Sequence, residues 1–204
     1  DLTEMVLTLK AAGFPEVRDL PWFEPPEFRA LDRAISCLAD LGALDDGGAI
    51  TDLGRRMAAF PVHPRFARML IAARDFGCVR TVALIAALTQ ERSILTRADR
   101  EAEARRDRTA GEEDRSDYFF LLTLLREAAA RQFDPDFCRD LGVHGLTARR
   151  VIQLADDFCA VAGAAPADWE ERPPSVEAVC KCILTGFADH VARRVDGGTL
   201  RCEL

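Results

Sequence analysis

Ile50-Thr51-Asp52-Leu53-Gly54-Arg55-Arg56-Met57-Ala58-Ala59-Phe60-Pro61-Val62-His63-Pro64-Arg65-Phe66-Ala67-Arg68-Met69-Leu70 decides how the rest of the chain is read. Thr51 suits a helix N-cap, because its hydroxyl can accept from a backbone N–H one turn on. The helix it starts carries Leu53, Met57 and Phe60. Pro61 and Pro64 then punctuate the chain. Pro64 fits the first turn of a new helix, where its missing N–H leaves no bond unmade. Phe66, Met69, Leu70 and Ala73 line one side of that helix, and Gly77 ends it.

Upstream, Leu2, Met5, Val6 and Leu9 recur at the spacing of an amphipathic helix, and Gly13 stands where a helix stops. Pro25 and Pro26 close a connector. A second helix then places Phe28, Leu31, Ile35 and Leu38 on one face and stops at Gly42. Ala43 to Ile50 holds two short apolar pieces around Asp46-Gly47, a hairpin signal. Helix, helix, hairpin, helix within 60 residues predicts a winged-helix-like module over residues 1–60.

Downstream, residues 79–90 are almost wholly apolar, with Val82, Leu84, Ile85 and Leu88, and belong in a core. Between Arg92 and Arg115 arginines alternate with Asp and Glu. The packed pattern resumes at Tyr118, Leu121, Leu122 and Leu125, with a short element around Phe133–Leu141. A long helix then carries Val151, Leu154, Ala155, Phe158 and Ala162 on one stripe. After a Pro-rich connector, Val176, Val179, Cys180, Ile183, Leu184 and Phe187 mark a last helix. Residues 190–195 and 199–204 flank Asp196-Gly197-Gly198, a second hairpin signal. The reading is mainly α: a winged-helix module, then a helical bundle, with small β-hairpins.

At 204 residues and 49% hydrophobic the chain can bury a core, and no apolar run reaches the ~18 residues of a membrane span. The opening residues show neither a basic leader nor an initiator Met, so the expectation is a segment of something longer. Seven cysteines, an odd and scattered set, predict buried thiols in a reducing cytoplasm rather than a disulfide framework. A net charge of −7 is poor for an autonomous nucleic-acid binder.

The signatures of common catalytic sites are missing. The sequence has no G-x-x-x-x-G-K-[ST] phosphate loop, no G-x-S-x-G elbow, no H-E-x-x-H helix and no G-x-G-x-x-G turn. The carboxylate pairs Glu112-Glu113 and Asp156-Asp157 read as solvated charge, and His144 as a loop residue near the start of the long helix. No catalytic residue, metal ligand or cofactor is expected in this chain.

The 50–70 stretch resembles the helicase-associated region of DEAH-box helicases, in the pattern L-T-x-L-G-x-x-M-A-x-F-P-x-x-P-R-x-x-x-M-L. Ala34 to Asp46, with Leu41-Gly42-Ala43-Leu44-Asp45, is similar to that family's A-L-x-x-L-x-x-L-G-A-L-D. Val6-Leu7-Thr8-Leu9-Lys10-Ala11-Ala12-Gly13 and Phe23 to Pro26 match further upstream. Ser116-Asp117-Tyr118 stands where the family tends to have Gly-Asp-His, and Phe137-Cys138 resembles its aromatic–Cys pair. Ile183 to Arg194 is similar to the opening of the family's OB-fold, closest in flavour to the bacterial HrpA/HrpB-type branch.

The resemblance implies three parts: a winged helix over 1–60, a ratchet-like bundle over 61–163, and over 164–204 a connector, a helix and the first strands of an incomplete OB-fold. It implies a parent ATP-dependent helicase, an NTP hydrolase using ATP and magnesium, in the cytoplasm. The partners implied are the RecA-like motor domains of the same polypeptide and single-stranded RNA or DNA, with no membrane. In the family the bundle presents a long helix to the strand, and the match here starts near Leu146. With the Val151–Phe158 stripe inward, Arg149, Arg150 and Gln153 are the expected contacts, and Arg92 and Arg97 the facing wall. Asp156 and Asp157 would confine the contact to the first two turns. The alternative is a free-standing winged-helix regulatory or protein-interaction module. Its wing, Asp45-Asp46-Gly47-Gly48, is acidic and would repel phosphate.

Overall fold

The computed structural model describes residues 1–96, 116–164, 174–194 and 202–203. Contacts divide the chain into two compact units, residues 1–77 with 175–204, and residues 78–174.

In the first unit, α1 (Thr3–Ala11), α2 (Phe28–Asp40) and α3 (Asp52–Ala58) form the winged-helix core. The buried face of α1 is Thr3, Val6, Leu7 and Lys10, so of the expected Leu2–Met5–Val6–Leu9 stripe Val6 is buried and the other three are half-buried. Lys10 is the charged member of that face. Its ammonium donates to the carbonyls of Pro15 at 2.6 Å and Gly48 at 2.5 Å, so a cation ties the connector and the wing turn to α1. Between residues 43 and 50 the wing reduces to one antiparallel bridge, Leu44 with Ile50. Asp45 Oδ1 accepts from the Gly47 and Ala49 N–H groups, both at 2.9 Å, and holds the turn.

Thr51 caps α3 as its chemistry predicts, accepting from Gly54 N at 3.0 Å. Gly54 itself is required by space: a Cβ there would lie 2.2 Å from the Ala43 carbonyl oxygen. Helix α4 (Pro64–Asp75) begins at the expected proline, with His63 as its N-cap. Burial pushes the His63 imidazole below its ordinary value, with the neighbouring Arg65 charge adding to the effect. The neutral ring so favoured has an Nδ1 lone pair, which accepts from Arg65 N at 3.3 Å.

Helix α4 packs on α9 (Val176–Phe187). The approach is close, because Gly186 stands where a Cβ would meet the Arg65 carbonyl oxygen at 2.5 Å. The Arg65 guanidinium fastens the same contact. It donates to the Gly186 carbonyl at 2.8 Å and, bidentate, to Asp189 at 2.6 and 2.7 Å, and it lies over the Phe187 ring. Those hydrogen bonds hold the Asp189 carboxyl below the usual carboxylate range. The sequence boundaries put α4 in the bundle and α9 in an OB-fold opening, whereas contacts group both helices with residues 1–60. Beyond α9, β1 (Arg193–Arg194) pairs antiparallel with β2 (Cys202–Glu203).

The second unit is built from α5 (Val79–Gln90), α6 (Asp117–Ala130), α7 (Pro135–Asp140) and α8 (Gly145–Val161). Helix α5 is buried along most of its length, from Val82 to Ala87. It packs on α8, and α6 joins both. Among the described residues no helix is long and apolar enough to cross a membrane.

The two tight glycines generate a prediction. Alanine normally favours a helix over glycine by up to ~1 kcal/mol. Here Gly54→Ala and Gly186→Ala should each lower stability in urea denaturation, by about 1–3 kcal/mol, because the added methyl displaces a neighbouring backbone. A stabilising outcome for either would mean that helix can shift freely at that contact.

Candidate nucleic-acid interface

Helix α8 starts from a crowded junction. His144 is its N-cap, its Nδ1 accepting from Thr147 N at 3.2 Å. The expected loop residue is therefore a capping residue. Its cap occupies one of the N-terminal N–H groups that an anion would otherwise use. Just before it, residues 142–144 run alongside residues 94–96. Leu95 bridges Val143, the His144 N–H donates to Ile94 O at 2.7 Å, and the Thr96 N–H to Gly142 O at 3.0 Å. The end of the α5 arm is thus carried to the start of α8.

The inner face of α8 is Thr147, Ala148, Val151, Ala155, Phe158 and Cys159, all buried, with Leu154 half-buried. Arg149, Arg150 and Gln153 lie on the exposed face. Arg149 is held: its guanidinium donates to the Gln132 carbonyl at 3.0 Å and lies 5.3 Å from the centre of the Phe133 ring. The turn it grips is strained, since Gln132 and Phe133 both have positive φ, 53° and 59°. Arg92 is exposed, two residues before the 94–96 pairing. Arg97 lies outside the described residues. The structure therefore brings Arg149, Arg150 and Gln153 onto one face and ties the segment after Arg92 to its N-terminal end.

Asp156 departs from expectation. It is partly exposed but also pairs with Arg80, whose side chain is only 8% exposed. A charge so neutralised repels an approaching phosphate less than a bare one, so Asp157, exposed on the next position, is the remaining acidic limit on α8. Arg80 escapes sequence reasoning because it sits in an apolar helix and offers no motif. Its Nε, buried, has no hydrogen-bond partner among the described residues.

Sequence reasoning also misses a cleft of about 440 Å³ at the start of α8, lined by Phe133, Arg139, Val143, His144, Leu146 and Arg149 among others. Leu146 is 66% exposed there, on a helix whose other outward residues are mostly polar. Its signal in the sequence is the break in pattern, an apolar residue off the buried stripe. Among the described residues no cluster of three His, Cys, Asp or Glu side chains is arranged to hold a metal ion.

The architecture defines a class: a winged helix joined to a helical bundle that turns one basic helix face outward. Residues 34–62 match the family described as helicase associated domain (HA2), winged-helix, and residues 63–122 the one described as helicase associated domain (HA2), ratchet-like. Both matches are to helicase-associated domains, in agreement with the DEAH-box region that the sequence resembles. It is 28% identical over 205 residues to the probable ATP-dependent RNA helicase DHX35 of Homo sapiens, covering 98% of this chain and 29% of that protein. It is 26% identical to the pre-mRNA-splicing factor ATP-dependent RNA helicase prp22 of Schizosaccharomyces pombe, covering 95% of this chain and 17% of that protein. It is 27% identical to the probable ATP-dependent RNA helicase DHR2 of Saccharomyces cerevisiae, covering 94% and 29%. The chain spans less than a third of the length of each of these relatives.

The Arg80–Asp156 pair yields a prediction. Asp156→Ala strands a buried guanidinium and should cost about 2 kcal/mol, less than a fully buried pair because Asp156 is partly exposed. Adding Arg80→Met removes the stranded charge and should recover part of the stability in urea denaturation. Equal or greater destabilisation in the double variant would show that the pair does not act through charge.

Proposed function

We propose that this chain is the non-catalytic accessory region of an ATP-dependent RNA helicase. It packs on the RecA-like motor domains of its own polypeptide and holds a single strand along the exposed face of α8 during translocation. The observation that carries this reading is the placement of Arg149, Arg150 and Gln153 together on the outward face of a helix whose inward face is fully committed to the core. Arginine suits the role because its charge is permanent and its donors form a planar fork. ATP and magnesium act in the motor domains, and the assembly works in the cytoplasm. The names of the relatives favour RNA over DNA.

The winged helix contributes through protein contact rather than by reading bases. Its wing is acidic, and Asp45 spends one carboxylate oxygen on its own turn. The exposed Arg55 and Arg56 of α3 are the only basic residues of that helix. An acidic wing beside two arginines makes a poor phosphate surface, which weighs against the free-standing regulator.

Salt dependence tests the α8 interaction. In the full-length polypeptide, Arg149→Ala with Arg150→Ala should weaken single-strand binding across all sequences. It should also flatten the log–log salt dependence by about 0.7 for each phosphate that is no longer neutralised. Arg150→Ala alone should show part of the same change without disturbing the 132–133 turn that Arg149 grips. Unchanged affinity and slope in both variants would return these arginines to ordinary surface charge.

A further inference from the structure

The cleft at the start of α8 is left over once Arg149 and Arg150 are assigned to phosphate. Its lining is mostly apolar, with Phe133, Val143 and Leu146, and includes Arg139 and Arg149. A mostly apolar lining that includes cations fits a ligand with a flat apolar body and an anionic attachment. We propose that this cleft accepts one unstacked nucleobase of the single strand, the base lying against Leu146 and the flanking phosphate meeting Arg149. The inference rests on the reading that α8 holds a single strand, and it adds what the strand places there.

Three features support a base over an apolar side chain of a protein partner. First, Leu146 is 66% exposed beside two arginines, and its neighbour Phe133 already carries a guanidinium on its ring. Among the described residues Arg149 spends one donor, on the Gln132 carbonyl, of the five its guanidinium carries. Secondly, the volume, about 440 Å³, falls within the range of small-molecule sites, roughly 300–1,000 Å³. Thirdly, the cleft holds a polar ring among its apolar lining. His144 lines the cleft, and its Nδ1 is engaged by Thr147 N at 3.2 Å, which fixes the ring there. The carboxylates on α7 do not cancel this pattern. Asp136 pairs with Arg139 at 2.7 Å, which offsets both charges and leaves Arg149 as the cation that serves the cleft, and Asp134 caps α7 by accepting from Phe137 N at 2.8 Å. Single strands are bound with little sequence preference where bases lie on aromatic side chains in a basic groove, and Leu146 offers a smaller apolar surface beside Arg149.

The test compares two ligands on the full-length polypeptide: oligouridine, and an abasic ribose-phosphate oligomer of the same length. Leu146→Ser should weaken oligouridine binding by about 5-fold or more and leave abasic binding unchanged. Leu146→Met should keep the wild-type preference, and unchanged thermal melting confirms that this exposed position leaves the fold intact. Arg150→Ala should weaken both ligands alike. If Leu146→Ser is neutral on both ligands, or weakens both equally, the base site is overturned. The phosphate reading then stands so long as Arg150→Ala weakens both. If Arg150→Ala and the double arginine variant also leave both unchanged, that reading falls as well.

Discussion

The burial of α8 against α5 is the constraint on which the second unit depends. Each large apolar side chain buried there contributes roughly 1.5–3 kcal/mol, and Val82, Leu84, Ile85, Val151 and Phe158 are all fully enclosed. Rotating α8 to hide its arginines would expose that face and bury uncompensated charge. The helix therefore has one stable orientation, and its polar side faces outward as a consequence of packing. The Arg80–Asp156 pair works within this contact. Arg80 is the one charged side chain buried on the described part of α5, and Asp156 meets it across from α8. Such a pair adds little net stability but makes other registers expensive, since any slip of one helix strands a charge.

The first unit is organised by close backbone approach. Gly54 lets α3 touch the Ala43 carbonyl, and Gly186 lets α9 touch that of Arg65. Once α9 is that near, Arg65 reaches the Gly186 carbonyl and both oxygens of Asp189. The glycine makes the distance possible and the arginine fixes it. Lys10 plays a similar part at the other end, joining the wing turn and the connector through two carbonyls. The wing of this unit is left acidic, with Asp45 and Asp46 exposed.

Much of this is legible in the sequence because it rests on local rules. Thr51 and Pro64 announce helix starts through capping and a missing N–H, and both helices begin there. The α8 stripe follows from 3.6-residue spacing, which also places Arg149, Arg150 and Gln153 on the opposite side. The illegible features depend on partners distant in sequence. The burial of Lys10 on α1 follows from acceptors that lie 5 and 38 positions away. The Arg80–Asp156 pair spans 76 positions and the Arg65–Asp189 pair 124. The cleft forms only when the 94–96 segment, the 132–133 turn, α7 and the start of α8 converge. Its Leu146 stands in the pattern merely as an exception. The family match passes from winged-helix to ratchet-like at residue 63, near the expected edge after residue 60, while contacts group α4 with the first unit.

The central claim is that a single strand lies against the outer face of α8. Photochemical cross-linking tests it directly, using a 4-thiouridine oligonucleotide bound to the full-length polypeptide, with the attachment sites located by mass spectrometry. The account predicts cross-links concentrated within residues 133–153, competed away by unlabelled single strand and reduced by raised salt. Competed cross-links that fall only on the winged-helix unit, with none on α8 or the residues leading into it, would contradict it.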